Sequence, residues 1–284
     1  MMDIQYFVDA LKEQKETNEK IYQMPDFWGQ RGDIWVKREV EQGEKNDPDV
    51  DFVADFLTSS GMIFEGATVL DVGCGTGKHA AKFASLGANV TAFDMSDKMV
   101  SHAKNRAESL NLKNVNFLTV TFDEICPTKR GWENKFDLVF ISNSPVLNSL
   151  EAIQKACNLS RGHCFNRTFA YRENQLLNDM HLNVAKTSRK PYFKANHIIS
   201  LFSILSIMGY FPQVDYIDGH KINKRQPCEA FVRNYAQISG LEGKEGDIVK
   251  YFQSVACEDG YVEEEIISKN ALISWNINDL SPLK

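Results

Sequence analysis

The 284-residue sequence has few of the features that mark a secreted or membrane-spanning protein. Its six cysteines form no C-x-x-C pair and lack the density of a disulfide-stapled domain, which predicts reduced thiols. The most apolar window, HIISLFSILSIMGYF, is too short to span a bilayer, and the N-terminus lacks the apolar block of a signal peptide. We therefore expect a cytoplasmic protein without membrane contact.

A surplus of positive charge is also absent. The formal net charge is -6, which disfavours nucleic acid as the main partner, since phosphate binding depends on excess lysine and arginine. The six histidines form no pair with metal-ligand spacing, so no metal site is expected. What is present, 43% hydrophobic and 25% charged residues, is typical of a globular protein with one sizeable core and added pieces.

From residue 66 onward, short apolar runs alternate with helical patterns, which predicts βαβ units and a parallel sheet. The strands expected first are ATVLDVG, NVTAFDMS, VNFLTVTF, FDLVFISNS and GHCFNRTFAY. After the helical NHIISLFSILSIMG, two late strands, PQVDYIDG and EAFVRNYAQIS, are expected to be joined by the turn HKINKRQP, and a helix with irregular structure is expected to follow them.

These elements predict an α/β fold with a doubly wound, Rossmann-like, seven-stranded and mostly parallel sheet. Residues 1–60 are expected to form an N-terminal helical cap, residues 61–240 the core, and residues 241–284 a C-terminal extension.

The stretch VLDVGCGTGKHA raises the question of which ligand its glycines face. A P-loop would need glycine at Val72 and a hydroxyl at His79, so ATP binding through that motif is disfavoured. The dinucleotide fingerprint fits Gly73 and Gly75 but needs a small residue at Lys78, where the helix packs on the strand. What remains is an acidic residue at the end of a strand, followed by G-x-G-x-G.

This stretch resembles the first motif of the class I S-adenosylmethionine-dependent methyltransferases, and the resemblance extends over residues 66–145. It implies that the cofactor is S-adenosylmethionine, with S-adenosylhomocysteine as product, and that Asp71 holds its ammonium group. The methionine part of the cofactor would approach the backbone of Gly73, Cys74, Gly75 and Gly77. A glycine without Cβ permits that approach, although a strand-to-helix turn without a ligand is the alternative.

A second acidic residue, Asp94, ends the next strand seventeen residues after Gly77. This is the spacing of the ribose-binding carboxylate in nucleotide-binding βαβ folds, although Asp94 could instead cap the next helix. The resemblance places Met95 against the adenine.

Two later segments are expected at the same edge of the sheet. In TVTFDEI, the family's adenine-binding aspartate is replaced by Thr121, or its task passes to Asp123, and Phe122 lies beside the ring. After the fourth strand, Ser142 and Asn143 are expected where methyl donor and acceptor meet. The sequence NSPV lacks the N-P-P-Y pattern of enzymes that methylate bases or glutamine.

Near the N-terminus, FWGQRGDIW resembles the W-x-x-R element that precedes the core in many small-molecule methyltransferases. It implies that Arg31 pairs with the cofactor's carboxylate and that Trp28 or Trp35 borders the sulfonium or the substrate. The alternative is that both tryptophans are core residues that hold an N-terminal helix.

The sequence shows no strong catalytic motif. If the acceptor is protonated at neutral pH, a general base is needed, and the candidates are His163, Tyr171 and His181. The basic stretch Lys186–Lys194 is either a lid over an acidic substrate or a solvated loop. We predict methyl transfer to a small molecule, with a nucleic-acid or protein methyltransferase and a catalytically silent cofactor-binding regulator as alternatives.

Overall fold

The computed structural model describes residues 4–12, 28–29, 32–33, 35–37, 48–189, 192–193 and 195–280. Its strands are β1 (Thr68–Val72), β2 (Asn89–Asp94), β3 (Val115–Thr119), β4 (Phe136–Ser142), β5 (Ser160–Asn174), β6 (Tyr192–Phe193), β7 (Gln213–Arg225) and β8 (Val262–Asn276). The α-helices within residues 48–280 are α1 (Pro48–Ser59), α2 (Lys78–Ser85), α3 (Asp97–Ser109), α4 (Pro127–Arg130), α5 (Leu150–Leu159), α6 (Gln175–Met180), α7 (Ala195–Ile207), α8 (Glu229–Ser239) and α9 (Glu245–Val255). A π-helical turn follows α6 at His181–Ala185, and residues 4–12 are also helical.

Seven strands follow one another in the sheet in the order β3-β2-β1-β4-β5-β8-β7, and β6 pairs with β5 beside this path. The pairs β3-β2, β2-β1, β1-β4 and β4-β5 are parallel. The end of β8 lies beside the start of β5, where Ile277 N–H donates to the Gly162 carbonyl, so β8 runs opposite to β5. This order confirms the predicted α/β class and the seven-stranded, mostly parallel sheet.

The central position of β4 explains its sequence. Its residues 138–141 are fully buried, because the strand lies between β1 and β5 and is covered on both faces. The first four strand predictions agree with the structure, and the fifth is correct but too short, since β5 continues to Asn174.

The late part of the chain differs from the sequence predictions. HKINKRQP was expected to be a turn, but its first six residues continue β7, a strand at the end of the sheet where polar residues can face solvent. EAFVRNYAQIS was expected to be a strand but forms α8, which buries Val232, Tyr235 and Ala236 at helical spacing. Residues 262–276 form β8 rather than irregular structure.

The chain divides into two compact units. The first unit contains Met1–Thr168, Asn196–Val214 and Leu272–Lys284, and the second contains Phe169–Ala195 and Asp215–Ala271. The second unit has its own apolar core, which includes Leu177, Met180, Tyr235, Phe252 and Val262. The boundaries that the sequence suggested at residues 60 and 240 stay predictions.

Candidate cofactor site

The first four strands end at one edge of the sheet and bring the predicted residues together there. Because β1, β2, β3 and β4 are parallel, Asp71 at the end of β1, Asp94 at the end of β2 and Ser142 at the end of β4 share that edge. In open α/β sheets, ligands bind at this edge, outside the carboxyl ends of the strands.

The glycine turn between β1 and α2 is fixed by two hydrogen bonds. The N–H groups of Gly73 and Cys74 both donate to the Phe93 carbonyl, each over 2.9 Å. The glycines at 73, 75 and 77 have φ angles of +73°, +53° and +76°, a region that favours residues without a Cβ. The turn is therefore hydrogen-bonded to β2, and its backbone adopts positive φ angles that glycine accommodates without strain.

The three glycines are needed for different reasons. A Cβ on Gly73 would lie 2.6 Å from the Ser144 hydroxyl oxygen, and one on Gly77 would lie 2.7 Å from Ala103 Cβ in α3. A Cβ on Gly75 would meet no protein atom within 4 Å. Packing inside the protein accounts for Gly73 and Gly77, whereas Gly75 faces open space in which a ligand can approach the backbone.

Asp94 holds the glycine turn and the start of α3. Its Oδ2 accepts a hydrogen bond from Gly75 N–H over 3.0 Å, and its Oδ1 accepts one from Ser96 N–H over 2.9 Å. Burial raises the pKa of this carboxyl, although these backbone donors oppose the shift. Ser96, and not Asp94, is the N-cap of α3, because its hydroxyl accepts from Met99 N–H. The structure therefore disfavours the helix-cap alternative.

Asp71 is a buried carboxylate with an unused acceptor. Only 2% of the residue is exposed, and its Oδ2 has no hydrogen-bond partner among the residues that the structure describes. Burial and then the charge of Asp94 raise its pKa to about 8. Buried polar groups are nearly always paired, so an unpaired carboxylate oxygen at a strand end indicates a place kept for a cationic or hydrogen-bonding ligand.

The two carboxylates also act on Cys74 in the glycine turn. Burial raises the pKa of this thiol, and the charges of Asp71 and Asp94 raise it further. The negative charge of Asp71 and Asp94 thus reaches the groups inside the glycine turn.

The residues after β2 and β3 differ in exposure. Met95 is 43% exposed, next to Asp94. The Phe122 ring is buried and stacks on Phe93, with ring centroids 6.3 Å apart, and Lys155 Nζ donates to the Phe122 carbonyl over 2.9 Å. Thus the Met95 side chain is accessible, whereas the side chain of Phe122 belongs to the core.

Thr121 and Asp123 do not share one role. The Thr121 hydroxyl and N–H both donate to Glu124 Oε2, over 2.8 and 2.9 Å, so Glu124 already occupies the polar groups of Thr121. Asp123 is exposed. Between the two alternatives of the sequence analysis, Asp123 has the carboxylate that remains accessible.

The loop after β4 lies against the glycine turn. Asn143 has a φ of +52° and its N–H donates to the Arg167 carbonyl over 2.8 Å, which places Ser144 beside Gly73. The Arg167 guanidinium, almost fully buried, makes a two-point ion pair with Asp49 of α1 at 2.6 and 2.7 Å. Arg167 and Lys155 were not predicted from the sequence, because only the register of β5 and the packing of α5 bring them here.

The segment around Trp28 packs on α3. A Cβ on Gly29 would lie 2.8 Å from Lys98 Cδ, and one on Gly32 would lie 2.9 Å from Met99 Sδ. Asp33 pairs with His102 at 2.8 Å and with Lys98 at 3.3 Å. Half-buried Trp28 therefore belongs to a segment fixed beside the helix that follows Asp94.

The roles expected for Arg31 and Trp35 stay predictions. Arg31 lies outside the described residues. Trp35 is 37% exposed, which does not fit a fully buried core aromatic.

The three candidate bases lie in different places. In β5, His163 lies opposite Leu138, near the beginning of β4. The carboxyl end of β4 is four residues further on, at Ser142, so His163 lies away from the carboxyl edge. Tyr171 and His181 belong to the second unit. The Tyr171 hydroxyl donates to Glu173, and this interaction raises its pKa.

Two kinds of feature were not found in the described part of the chain. It contains no group of three or more histidine, cysteine, aspartate or glutamate side chains arranged to hold a metal ion. None of its helices combines the length and the apolar character needed to cross a bilayer.

Residues 63–199 match the sequence profile of a family described as methyltransferase domain. Ubiquinone biosynthesis O-methyltransferase of Coxiella burnetii is 47% identical over 56 residues, which is 20% of this chain and 24% of that protein. The enzyme of the same name from Rickettsia prowazekii is 30% identical over 114 residues, 40% of this chain and 42% of that protein. The chain thus spans less than half the length of these curated relatives.

A solved structure from Bacillus halodurans, provisionally named as a methyltransferase, has the same fold. Its TM-score is 0.50 at 15% identity, and the match covers 78% of this chain and 97% of that one. The profile match includes β1 with Asp71, the glycine turn and Asp94. Residues 63–199, slightly less than half of the chain, are therefore similar to methyltransferase domains.

Proposed function

We propose that the protein is an S-adenosylmethionine-dependent methyltransferase that acts on a small-molecule acceptor. The observation that carries the proposal is the unpaired, buried Oδ2 of Asp71 beside a glycine turn that is open at Gly75. The carboxyl groups of Asp71 and Asp94 at this turn suit a cation, whereas ATP or NAD would bring phosphates to it.

The residues at the edge fit the parts of S-adenosylmethionine. Asp71 would hold the ammonium group, and the open backbone at Gly75 would admit the methionine part. Asp94 would accept from the two ribose hydroxyls, which a planar carboxylate can do while its oxygens keep the bonds from Gly75 and Ser96. Exposed Met95 offers a soft apolar surface for the adenine.

The chain's own contribution to the reaction is alignment. When bound, S-adenosylmethionine supplies a methyl group on a sulfonium, which is transferred by in-line displacement. The hydrogen bonds that fix the glycine turn and the β4 loop hold this edge in one geometry, and such positioning is a large part of catalysis in two-reactant displacements. A strong acid–base motif is not required for this chemistry.

A small molecule is the acceptor class that the observations favour. The net charge of -6 disfavours a nucleic-acid substrate, and the segment after β4 lacks the N-P-P-Y pattern. The curated relatives carry the name ubiquinone biosynthesis O-methyltransferase. These points support the class and leave the acceptor itself to experiment.

The first test is isothermal titration of the full chain with S-adenosylhomocysteine and S-adenosylmethionine, with NAD as the ligand control. We expect both to bind and NAD not to bind. Asp94→Ala should weaken binding about 100-fold, because it removes charge-assisted acceptors for two hydroxyls. Asp94→Asn, which keeps one acceptor oxygen, should lose less.

The matched control is Asp97→Ala, which removes an exposed carboxylate three residues further on. It should leave the affinity unchanged. Absence of binding by either ligand, or equal losses in the Asp94 and Asp97 variants, would contradict the cofactor assignment. Turnover is then tested by measuring the formation of S-adenosylhomocysteine from S-adenosylmethionine in the presence of a metabolite panel. Formation of the product distinguishes an enzyme from a catalytically silent binding protein.

A further inference from the structure

A short segment of the second unit folds back onto the end of β5. Lys186, with a φ of +55°, ends the π-helical turn, and Thr187 N–H donates to the His181 carbonyl over 3.2 Å. Strand β6 then pairs antiparallel with β5, so that Tyr192 lies opposite Arg172. Arg189 lies between these two backbone contacts, two residues after Thr187 and three residues before Tyr192.

The two arginines of this segment have no acidic partner. The Arg172 guanidinium lies 5.2 Å above the Phe169 ring, and neither it nor Arg189 has a hydrogen bond or ion pair to a carboxylate in the described part of the chain. Partial burial, and then the positive charge of Arg172, lower the pKa of Arg189, while Tyr235 opposes this shift. Like charges are thus held together, which is unfavourable without a counter-ion.

The nearby acids are already engaged. Glu173 accepts from the Tyr171 hydroxyl and from Asn178 over 2.8 Å. Glu264 is neutralised by Arg225 at 2.7 Å and accepts from Tyr235 over 2.6 Å. Neither carboxylate has an ion pair with Arg172 or Arg189.

His181 adds an unpaired nitrogen. Its Nε2 is buried and has no hydrogen-bond partner among the described residues. Burial and the charge of Arg189 lower its pKa, so the imidazole is neutral at pH 7 and has one nitrogen available to donate or accept.

We propose that Arg172, Arg189 and His181 form a binding site for a small organic anion that carries a carboxylate. Arginine presents a planar fork of N–H groups that matches a carboxylate, and Phe169 holds one of the two forks in place. An anion between the arginines would relieve their repulsion and give His181 Nε2 a partner. This site lies within the second unit and does not depend on methyl transfer.

The test is titration of the full chain with benzoate, with benzamide as the uncharged molecule of the same shape and inorganic phosphate as a second anion. We expect benzoate to bind and benzamide not to bind. Arg189→Gln and Arg172→Gln should each weaken benzoate binding by about tenfold or more, since each removes a charged donor. Arg233→Gln, which changes an exposed arginine of α8, should not.

The urea unfolding midpoint of each variant supplies a fold check that does not rely on cofactor binding. The Arg189 side chain is solvent-accessible although its neighbours partly desolvate it, so its variant should change the unfolding midpoint little. Absence of benzoate binding, equal binding of benzamide, preference for phosphate over benzoate, or an equal loss in Arg233→Gln would each overturn the proposal. A failure of S-adenosylmethionine to bind would not affect it.

Discussion

Two buried carboxyl groups, one in each unit, differ in their hydrogen bonding and in the direction of their pKa shift. Glu264 in the second unit is 6% exposed and accepts five hydrogen bonds, from Tyr235, Asn174, Asn223 and two nitrogens of Arg225. Its pKa is lowered despite burial, mainly by the charge of Arg225. Asp71 in the first unit is as deeply buried, yet one of its oxygens has no hydrogen-bond partner in the described part of the chain, and its pKa is raised to about 8.

The difference separates a carboxylate that stabilises the fold from one that is available to a ligand. A satisfied buried network is structural, whereas a buried carboxyl group with an unsatisfied oxygen costs stability and persists where function requires it. The two carboxylates should therefore respond in opposite ways to neutral replacement.

The largest effect is expected in the second unit. Glu264→Gln should lower the free energy of unfolding by about 3 kcal/mol, because it leaves Arg225 largely buried without its counter-charge. Urea unfolding measures this loss. Glu265→Gln is the matched control, since Glu265 pairs with His220 at an exposed site, and it should change stability by less than about 0.5 kcal/mol. If Glu264→Gln is as stable as the wild type, the network does not stabilise the unit.

A neutral replacement of Asp71 should affect binding and leave the fold intact. Asp71→Asn keeps the size and removes the charge, so we expect S-adenosylhomocysteine to bind about 100-fold more weakly, a loss of about 2.7 kcal/mol. The free energy of unfolding without ligand should not fall, because burial of a charge is relieved. Titration and urea unfolding measure the two quantities. A loss of stability equal to that of Glu264→Gln would remove the distinction between the carboxylates.

The pH dependence should have opposite signs for the two groups. The folded-state pKa of Asp71, about 8, lies above its ordinary value of 3.8, so the folded protein binds the extra proton and loses stability as pH rises between these values. The slope is at most about 1.4 kcal/mol per pH unit. The pKa of Glu264 is lowered, so its contribution is lost as pH falls below its ordinary value of 4.5.

Urea unfolding of the wild type and Asp71→Asn from pH 5 to pH 8, without ligand, tests this. The wild type should lose stability relative to the variant as pH rises, since other titrating groups are common to both. A constant difference between them would show that Asp71 does not titrate in this range.

The sequence predicted the first half of the fold well, because β1 to β4 are short apolar runs between helices with clear ends. It failed later for two physical reasons. Strand β7 is polar because it lies at the end of the sheet, and its Gly219-His220 pair looks like a turn. Helix α8 is rich in aromatic and β-branched residues, which favour strands, and only the spacing of Val232, Tyr235 and Ala236 indicates a helix.

The candidate cofactor site could be predicted as far as it lies in one continuous motif. A strand-turn-helix pattern predicts Asp71, the three glycines and Asp94. That Gly75 faces open space while the other two glycines pack against Ser144 and Ala103 could be seen only in the structure. The cluster of Arg172, Arg189 and His181 depends on pairing between β5 and β6 and on a π-helical turn, and neither has a clear sequence signature.

The position of Cys74 has a consequence for self-damage. A sulfonium methyl group is an alkylating agent, and a thiolate beside it would be a nucleophile for an unwanted methylation of the protein. Burial, and then the charges of the two carboxylates that would attract the cation, raise the pKa of the Cys74 thiol and keep it protonated. Under the proposed function, the buried setting of the turn and its two acidic residues thus also protect the protein from the reagent that they bind.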